Sequence, residues 1–345
     1  MLTLTIHSVG PGVTVQDLGR PGWTARGLSQ GGAADRFAVL EAATLLATDN
    51  QNAVLEMMGM GGVFSVSADT RIALTGAEMQ ASIDGTPVQH NTTQLLRAGQ
   101  RLTIGGVRKG VYGYLAFAGG ITTDPVMDSR ATHLTAGIGH RLEIGETLQL
   151  GRDTDPLAGP MLLPQSDRLN GGTVRVMPGP QTDYFTADTL QSFAETTFQR
   201  SPRGNRQGIR LDHAGTGFAT SGQLNILSDL IVPGDIQMTG EGVPYILLAE
   251  CQTIGGYPRI GTVVPGDLPR VAQAMPGAAL RFQFLTLAEA DATAQSDQTV
   301  RRALRQLCQP RVRDPRDIAD LLGYQLISGV TPGDDLERPR YDPQS

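Results

Sequence analysis

The chain opens on an alternation. Leu2, Leu4 and Ile6 are apolar while Thr3, Thr5 and His7 are polar, the two-residue period of a strand with one buried face. Gly10-Pro11-Gly12 then turns the chain into a polar, glycine-rich loop, Gln16-Asp17-Leu18-Gly19-Arg20-Pro21-Gly22-Trp23. From Asp35 the period changes: Phe37, Leu40, Ala43, Thr44, Leu46 and Ala47 recur at three- and four-residue spacing, which predicts a helix started by Asp35. Short apolar segments between turns follow, predicting strands over 54–58, 63–66, 71–74, 79–83, 102–104, 112–118 and 147–150.

Residues 151–172 lose this periodicity and carry Pro156, Pro160, Pro164 and Gly171-Gly172, the pattern of a linker. Beyond them, strands are predicted over 173–177, 209–211, 236–238, 245–248, 260–264 and 280–285. Helices are predicted near 187–193 and near 268–274, the latter capped by Asp267 with Pro269 in its first turn. After about residue 290 the segments 298–307 and 318–322 read as helical and 332–345 as frayed, a tail appended to the second unit. The expectation is a mainly β chain with short helices: one β unit over 1–150, a linker over 151–172, a second β unit over 173–290 and a partly helical extension over 291–345. Length agrees, because 345 residues exceed the usual single-domain range of about 100–200. Glycine sharpens the picture: 43 of 345 residues is about 12%, against a typical ~7%, and favours many turns over long helices.

The net charge of −6 disfavours nucleic-acid and anionic-membrane partners, which need a basic surface. Lys109 is the one lysine, between Arg108 and Gly110, so a phosphate-cradling Gly-Lys-Ser/Thr loop is absent and a biotin attachment site is not expected in this chain. ATP or biotin, if used, belongs to another chain. Cys251 and Cys308 lie too far apart in sequence to suggest a metal pair or a disulfide framework. No run of 18 apolar residues is present, and the N-terminus lacks the layout of a signal peptide; the expectation is a soluble cytoplasmic protein.

No Gly-x-Ser-x-Gly elbow or dinucleotide fingerprint is found. His133 and His140, seven apart, lack zinc spacing and read as loop histidines, so no metal site is expected. Three polar segments remain. The first is Glu250-Cys251-Gln252-Thr253-Ile254-Gly255-Gly256-Tyr257-Pro258, emerging from an apolar strand. Gly255 and Gly256 can bring backbone N–H groups to an oxyanion or carboxylate, Gln252 and Thr253 offer polar ends, and Tyr257 a wall. The alternative is a glycine hairpin with ordinary polar decoration. In the second, Asn205-Arg206-Gln207-Gly208-Ile209-Arg210, two arginines four apart in an extended stretch would share a face and clamp a carboxylate. The alternative is an ion pair with Asp212 or Asp229. The third is the loop holding Gln16, Asp17 and Arg20, joined by Asp35 and by Asp128-Ser129-Arg130-Ala131-Thr132; an exposed capped turn is the other reading.

Taken in order, Thr14–Gly22, Gly31-Gly32-Ala33-Ala34-Asp35, Asp128–Thr132 and Gln252–Pro258 resemble the family of the C-type subunit of 5-oxoprolinase, allophanate hydrolase subunit 2 and the matching part of the urea carboxylase carboxyltransferase domain. Glu250-Cys251 stands where many members carry an aspartate-containing dipeptide. The resemblance spans residues 2–290 and implies two cyclophilin-like β-barrel units. It also implies an allophanate-hydrolase-subunit-1-like partner and, in the 5-oxoprolinase setting, a lactam-utilisation-type third subunit. Such a complex opens 5-oxo-L-proline to L-glutamate with ATP hydrolysis. Gln252, Thr253 and Arg206 would then be catalytic. Gly255, Gly256, Tyr257, Asn205, Arg210, Gln16, Asp17, Arg20, Ser129 and Arg130 would bind the small-molecule substrate or face the partner. Two other readings stay open: a carboxyltransferase component acting on urea or a similar amide with biotin on another chain, and a non-catalytic antagonist of a kinase-inhibitor partner.

Overall fold

The opening alternation becomes the strand Thr3–Val9, with Leu4 and Ile6 fully buried. In a computed structural model of the chain, residues 1–48, 52–218 and 228–311 are described, and Met1–Pro310 make one compact unit. Thr3–Val9 lies in a nine-stranded sheet. Its path runs Val13–Gln16, Val54–Met58, Leu102–Phe117, Met60–Val66, Thr3–Val9, Thr147–Gln149, and Thr70–Ile83 pairs along Leu102–Phe117. The sheet wraps as a half-barrel around Leu4, Ile6, Leu55, Phe64, Leu74 and Leu115.

Two of its strands are far longer than expected. The predicted pieces 71–74 and 79–83 are one 14-residue strand, Thr70–Ile83, and the pieces 102–104 and 112–118 are one 16-residue strand, Leu102–Phe117. Gly105, Gly106 and Gly110 lie inside the second of these without ending it. The chain stays paired and absorbs the irregularity in register shifts between Gly76 and Ala81.

The second half closes. Gly172–Met177, Arg259–Val263, Asp235–Met238, Pro244–Leu247, Gly208–Asp212, Phe198–Gly204 and Ala279–Phe284 form a seven-stranded barrel, sealed by parallel pairing of Gly172–Met177 with Ala279–Phe284. Phe193, Phe198, Phe218 and Phe282 fill it, with ring centroids 4.8 Å apart for Phe193–Phe198 and 5.0 Å for Phe193–Phe282. The strand Phe198–Gly204 escaped the sequence reading because Arg200, Pro202 and Arg203 hide its alternation. Asp267 occupies the cap position of the helix Leu268–Gln273, but its carboxylate is not the cap. It takes Arg175 through the backbone N–H (2.8 Å), Nε (2.9 Å) and the terminal nitrogen (2.6 Å).

The helix Arg36–Leu45 joins the halves. Asp35 caps it, accepting from the Ala38 N–H at 3.2 Å, and its buried Ala38, Val39, Ala42 and Leu45 share one core with Val174 and Ile246 of the barrel and Val271 of the helix Leu268–Gln273. Behind it the linker helix Asp167–Asn170 drives Arg168 inward onto Asp35 (2.8 Å) and Glu41 (2.6 and 2.7 Å). Fully buried Gln273 donates to Asp35 Oδ2 and the Tyr112 carbonyl, both at 2.8 Å, and accepts from the Val111 and Tyr112 N–H groups. Asp35 therefore serves this junction and does not join the Gln16–Arg20 loop.

The helix Asp297–Leu307 is not attached to the barrel as expected. It sits on the first half, with Arg36 bonded to Asp297 at 2.5 Å and Arg301 to the Thr48 carbonyl at 2.6 Å. The predicted segments 318–322 and 332–345 lie outside the described residues. Among the described residues no helix is long and apolar enough to cross a membrane.

Candidate functional site

Strands Phe198–Gly204 and Gly208–Asp212 form a hairpin whose turn is Asn205-Arg206-Gln207, closed by the Asn205 side chain accepting from the Gln207 N–H at 2.8 Å. This turn aims Arg206 into the protein. Its Nε donates to Glu250 Oε1 at 2.5 Å, one terminal nitrogen to Glu56, and the other to the Gly32 carbonyl at 2.6 Å. Glu56 comes from the first sheet, and its second oxygen accepts from the Ala34 N–H (2.8 Å) and the Tyr114 hydroxyl (2.7 Å). Burial alone would lower the Arg206 pKa, but Glu56 and Glu250 outweigh it and hold it above its ordinary value. Arg206 and Arg210 thus form no carboxylate clamp: Arg206 is buried in the turn with protein partners on every side, and Arg210, in the following strand, pairs with Asp212 at 2.9 Å. Every guanidinium nitrogen of Arg206 is thus engaged by the protein, a structural role beside the catalytic one expected from the sequence.

Three depressions surround this hairpin. One of about 420 Å³ is lined by Ser29, His133, Thr135, Gln252, Thr253 and Ile254. The second, about 560 Å³, is lined by Thr14, Met58, Arg141, Asn205, Arg206 and Glu250. The third, about 470 Å³, takes in Asn205, Gln237, Tyr245 and Tyr257. Thr135 lines the first two, and Gln207 Nε2 donates to its Oγ1 at 3.0 Å. A larger depression of about 760 Å³ around His90, Asn91 and Gln165 holds none of the expected site residues.

The first depression carries the most chemistry. Ser29 Oγ lies 2.8 Å from His133 Nε2, and His133 Nδ1 accepts from the Ala136 N–H at 3.2 Å. Glu250 Oε2 stands 4.0 Å from that Nδ1 and accepts instead from the Thr135 N–H (3.2 Å) and hydroxyl (3.3 Å). Both Ser29 and His133 are buried. Desolvation lowers the His133 pKa from 6.5; Glu250 opposes this, and the Arg20 and Arg206 charges add to it. At neutral pH the imidazole is uncharged. Next to it Cys251 is buried, and desolvation pushes its thiol up to about 12, which makes it inert as a nucleophile. Among the described residues no cluster could hold a metal ion.

The expected loop residues work from behind. Asp17 accepts from the Gly19 N–H (2.8 Å), the Ser129 hydroxyl (2.7 Å) and the Arg130 N–H (2.6 Å). Gln16 reaches the Thr132 carbonyl at 3.1 Å and Arg20 the Ala131 carbonyl at 2.5 Å. Backbone bonds from Arg20 to Gln30 and from Ala33 to Asp17 hold the Ser29 side of the loop. Gln16, Asp17 and Arg20 are almost fully buried and present little surface of their own. With Ser129 and Arg130 they form a clasp that fixes Ser29 and His133 against each other.

Gln252 and Thr253 do line the depression, Thr253 buried and Gln252 exposed. Gly255 and Gly256 are not a left-handed bend, since neither has a positive φ. Gly255 lies in the strand Ile254–Gly255, registered opposite Asp229. Its lack of a side chain answers to crowding: a Cβ there would fall 2.7 Å from Gln237 Nε2 and 3.0 Å from Ile231 Cδ1. Gly255→Ala is therefore expected to lower stability by about 1–3 kcal/mol, read by urea denaturation, because a well-packed site is overfilled. Tyr257, 54% exposed, and Asn205 stand at the neighbouring depression. Ser29, Glu56, His133 and Thr135 were missed by sequence reasoning. Glu56 did leave a signal, a lone charge inside the apolar strand Val54–Met58. His133 directly follows the Asp128–Thr132 motif, while Ser29 carries no signal of its own.

A model of the carboxyltransferase domain, subdomains A and B, matches residues 26–284. The chain belongs to this carboxyltransferase-domain family. The C-type subunit of the Escherichia coli 5-oxoprolinase is 34% identical over 302 residues, covering 86% of this chain and 95% of that protein. The urea amidolyase of Lachancea kluyveri is 26% identical over 306 residues, 80% of this chain and 16% of that protein. Among solved structures, the Kluyveromyces lactis urea carboxylase superposes with a TM-score of 0.75 at 22% identity, covering 91% of this chain and 31% of that chain, a likeness of fold. The chain is thus a relative of enzyme subunits and of one segment of far longer enzymes, and the mainly β class expected from the sequence is the class found.

Proposed function

We propose that this member of the carboxyltransferase-domain family is the C-type subunit of an ATP-dependent 5-oxoprolinase that opens 5-oxo-L-proline to L-glutamate and is inactive alone. The observation that carries the reading is the E. coli relative, a protein of matching extent named as that subunit, at 34% identity over 95% of its length. The site is compatible in kind: polar hydroxyl and amide groups line small depressions, with no activated nucleophile, as suits a subunit that binds a substrate whose activation occurs in a larger assembly. ATP enters with the partners, an allophanate-hydrolase-subunit-1-like protein and a lactam-utilisation-type third subunit. Leu230 and Ile254, cross-strand neighbours that are 51% and 60% exposed, offer those partners an apolar rim beside the site.

The test is reconstitution. The chain co-purified with its native partners should release glutamate from 5-oxo-L-proline with ATP consumption, and omission of this chain should abolish turnover. No turnover from a folded, complete complex overturns the reading. The Lachancea relative favours a second one, carboxyl transfer to urea or a similar amide. It requires a biotinylated partner, so carboxylation of urea by the same complex would select it.

A further inference from the structure

Ser29 and His133 have the spacing of a nucleophile and its base, yet their hydrogen bonds run the other way. A backbone N–H can only donate, and that of Ala136 is shared between the His133 carbonyl at 3.1 Å and His133 Nδ1 at 3.2 Å. Nδ1 therefore carries a lone pair, and the ring proton sits on Nε2, where it donates to Ser29 Oγ at 2.8 Å. Glu250, at 4.0 Å from Nδ1 and engaged with Thr135, does not claim a proton there. With Nε2 occupied, His133 cannot accept the Ser29 proton. The hydroxyl instead has its own proton free to donate, and among the described residues Ser29 Oγ has no other partner. Ser29 lines the depression that Gln252 and Thr253 also face.

We propose that Ser29, polarised and oriented by His133, is a specificity residue that donates to an uncharged carbonyl oxygen of an amide or lactam. An uncharged acceptor is favoured because the two guanidiniums that act on the imidazole are already answered by protein carboxylates, Arg20 by Asp17 and Glu250 and Arg206 by Glu56 and Glu250, so neither is left to hold a ligand carboxylate. Gln252 complements the same ligand, since its amide can donate to a carbonyl and accept from a ring N–H. His133 is here a positioning residue: it sets the direction of the Ser29 hydroxyl and does not itself touch the ligand. This assignment rests on the 5-oxoprolinase reading for its substrate class and on geometry alone for the direction of the hydrogen bonds.

The experiment uses the chain in complex with its partners, labelled with ¹⁵N-histidine; with only five histidines in the chain, His133 is assigned by difference against His133→Gln. The expected ring shifts at neutral pH are those of the Nε2–H tautomer. Titration with 2-pyrrolidinone, a lactam lacking a carboxylate, should move the His133 signals, and propionate at equal concentration should not. Ser29→Ala should weaken pyrrolidinone binding and raise the KM for 5-oxo-L-proline about five- to tenfold, the size of one lost hydrogen bond. Ser29→Thr and His133→Gln, which keep a hydroxyl donor and an Nε2-like donor respectively, should recover most of it, while His133→Asn should not. An Nδ1–H tautomer, no lactam binding, equal binding of propionate, or an unchanged KM in Ser29→Ala each overturns the proposal. Ser29-dependent lactam binding without turnover would sink the 5-oxoprolinase reading and leave this one standing; turnover indifferent to Ser29→Ala would do the reverse.

Discussion

Arg206→Ala is expected to cost about 3–5 kcal/mol of stability, the effect of removing one partner of a buried ion pair. The mutation leaves Glu56 and Glu250 facing each other in the interior with no cation, and leaves the Gly32 carbonyl without its donor. It also cuts a link between the first sheet, which supplies Glu56, and the hairpin of the barrel. For a unit of this size the melting temperature should fall by roughly 5–8 °C. Arg206→Lys should recover little, because one ammonium cannot serve three directions. A Glu56→Gln/Arg206→Met/Glu250→Gln variant, which removes the charges together, should be markedly more stable than Arg206→Ala. Calorimetry of the three variants decides it. A melting shift under about 2 °C in Arg206→Ala, with substrate affinity lost, would return Arg206 to the substrate-clamping role.

That outcome marks where the sequence stopped being informative. Two arginines four apart look the same whether they clamp a ligand or end a hairpin around a carboxylate pair, because the deciding partners, Glu56 and Glu250, are 150 and 44 residues away. Local patterns were legible where local physics decides the structure. The period change at Asp35 marked a real helix with a real cap, and the apolar runs of the barrel fell within a residue or two of its strands. Glycine does not by itself mark a turn here. Gly105, Gly106 and Gly110 lie inside one long strand, and Gly255 is small to clear Gln237, so neither place needed a turn.

The site was half legible for a related reason. Gln252 and Thr253 come one turn after the strand Pro244–Leu247, and polar groups beyond a strand end are exposed by the geometry of the sheet. Asp17, Ser129 and Arg130 were rightly grouped, although as a buried clasp and not a surface. Ser29 and His133 are brought together only because that clasp and the Gln30 and Ala33 backbone bonds fold two loops 104 residues apart onto each other. Nothing in either loop alone states the direction of the hydrogen bond between them; that follows from the Ala136 N–H, a main-chain feature.

Arg168→Ala is the second large expected loss, again about 3–5 kcal/mol. Arg168 satisfies Asp35 through Nε and both oxygens of Glu41 through its terminal nitrogens, and all three residues are buried. Desolvation already raises the Glu41 pKa above its ordinary value, and Arg168 is what opposes that rise. Once the guanidinium is gone, Glu41 is driven further toward its protonated form, and Asp35 keeps only Gln273 and the Ala38 N–H as donors. The sign of the pH dependence follows. A carboxyl whose folded pKa is raised favours the folded state below its unfolded pKa and loses that advantage as pH climbs through the folded value. Arg168→Ala should therefore gain stability on acidification from neutral pH toward about 5. His133, with its folded pKa lowered from 6.5, contributes stability above 6.5 that is lost as pH falls in parent and variant alike, so the gain is read as the difference between the two proteins. Chemical denaturation at about pH 5 and about pH 7 separates the two, and Glu41→Gln in the Arg168→Ala background should flatten most of the gain. A variant as stable as the parent at neutral pH, or one that weakens on acidification as much as the parent, would mean that the linker helix does not hold the junction through this charge cluster.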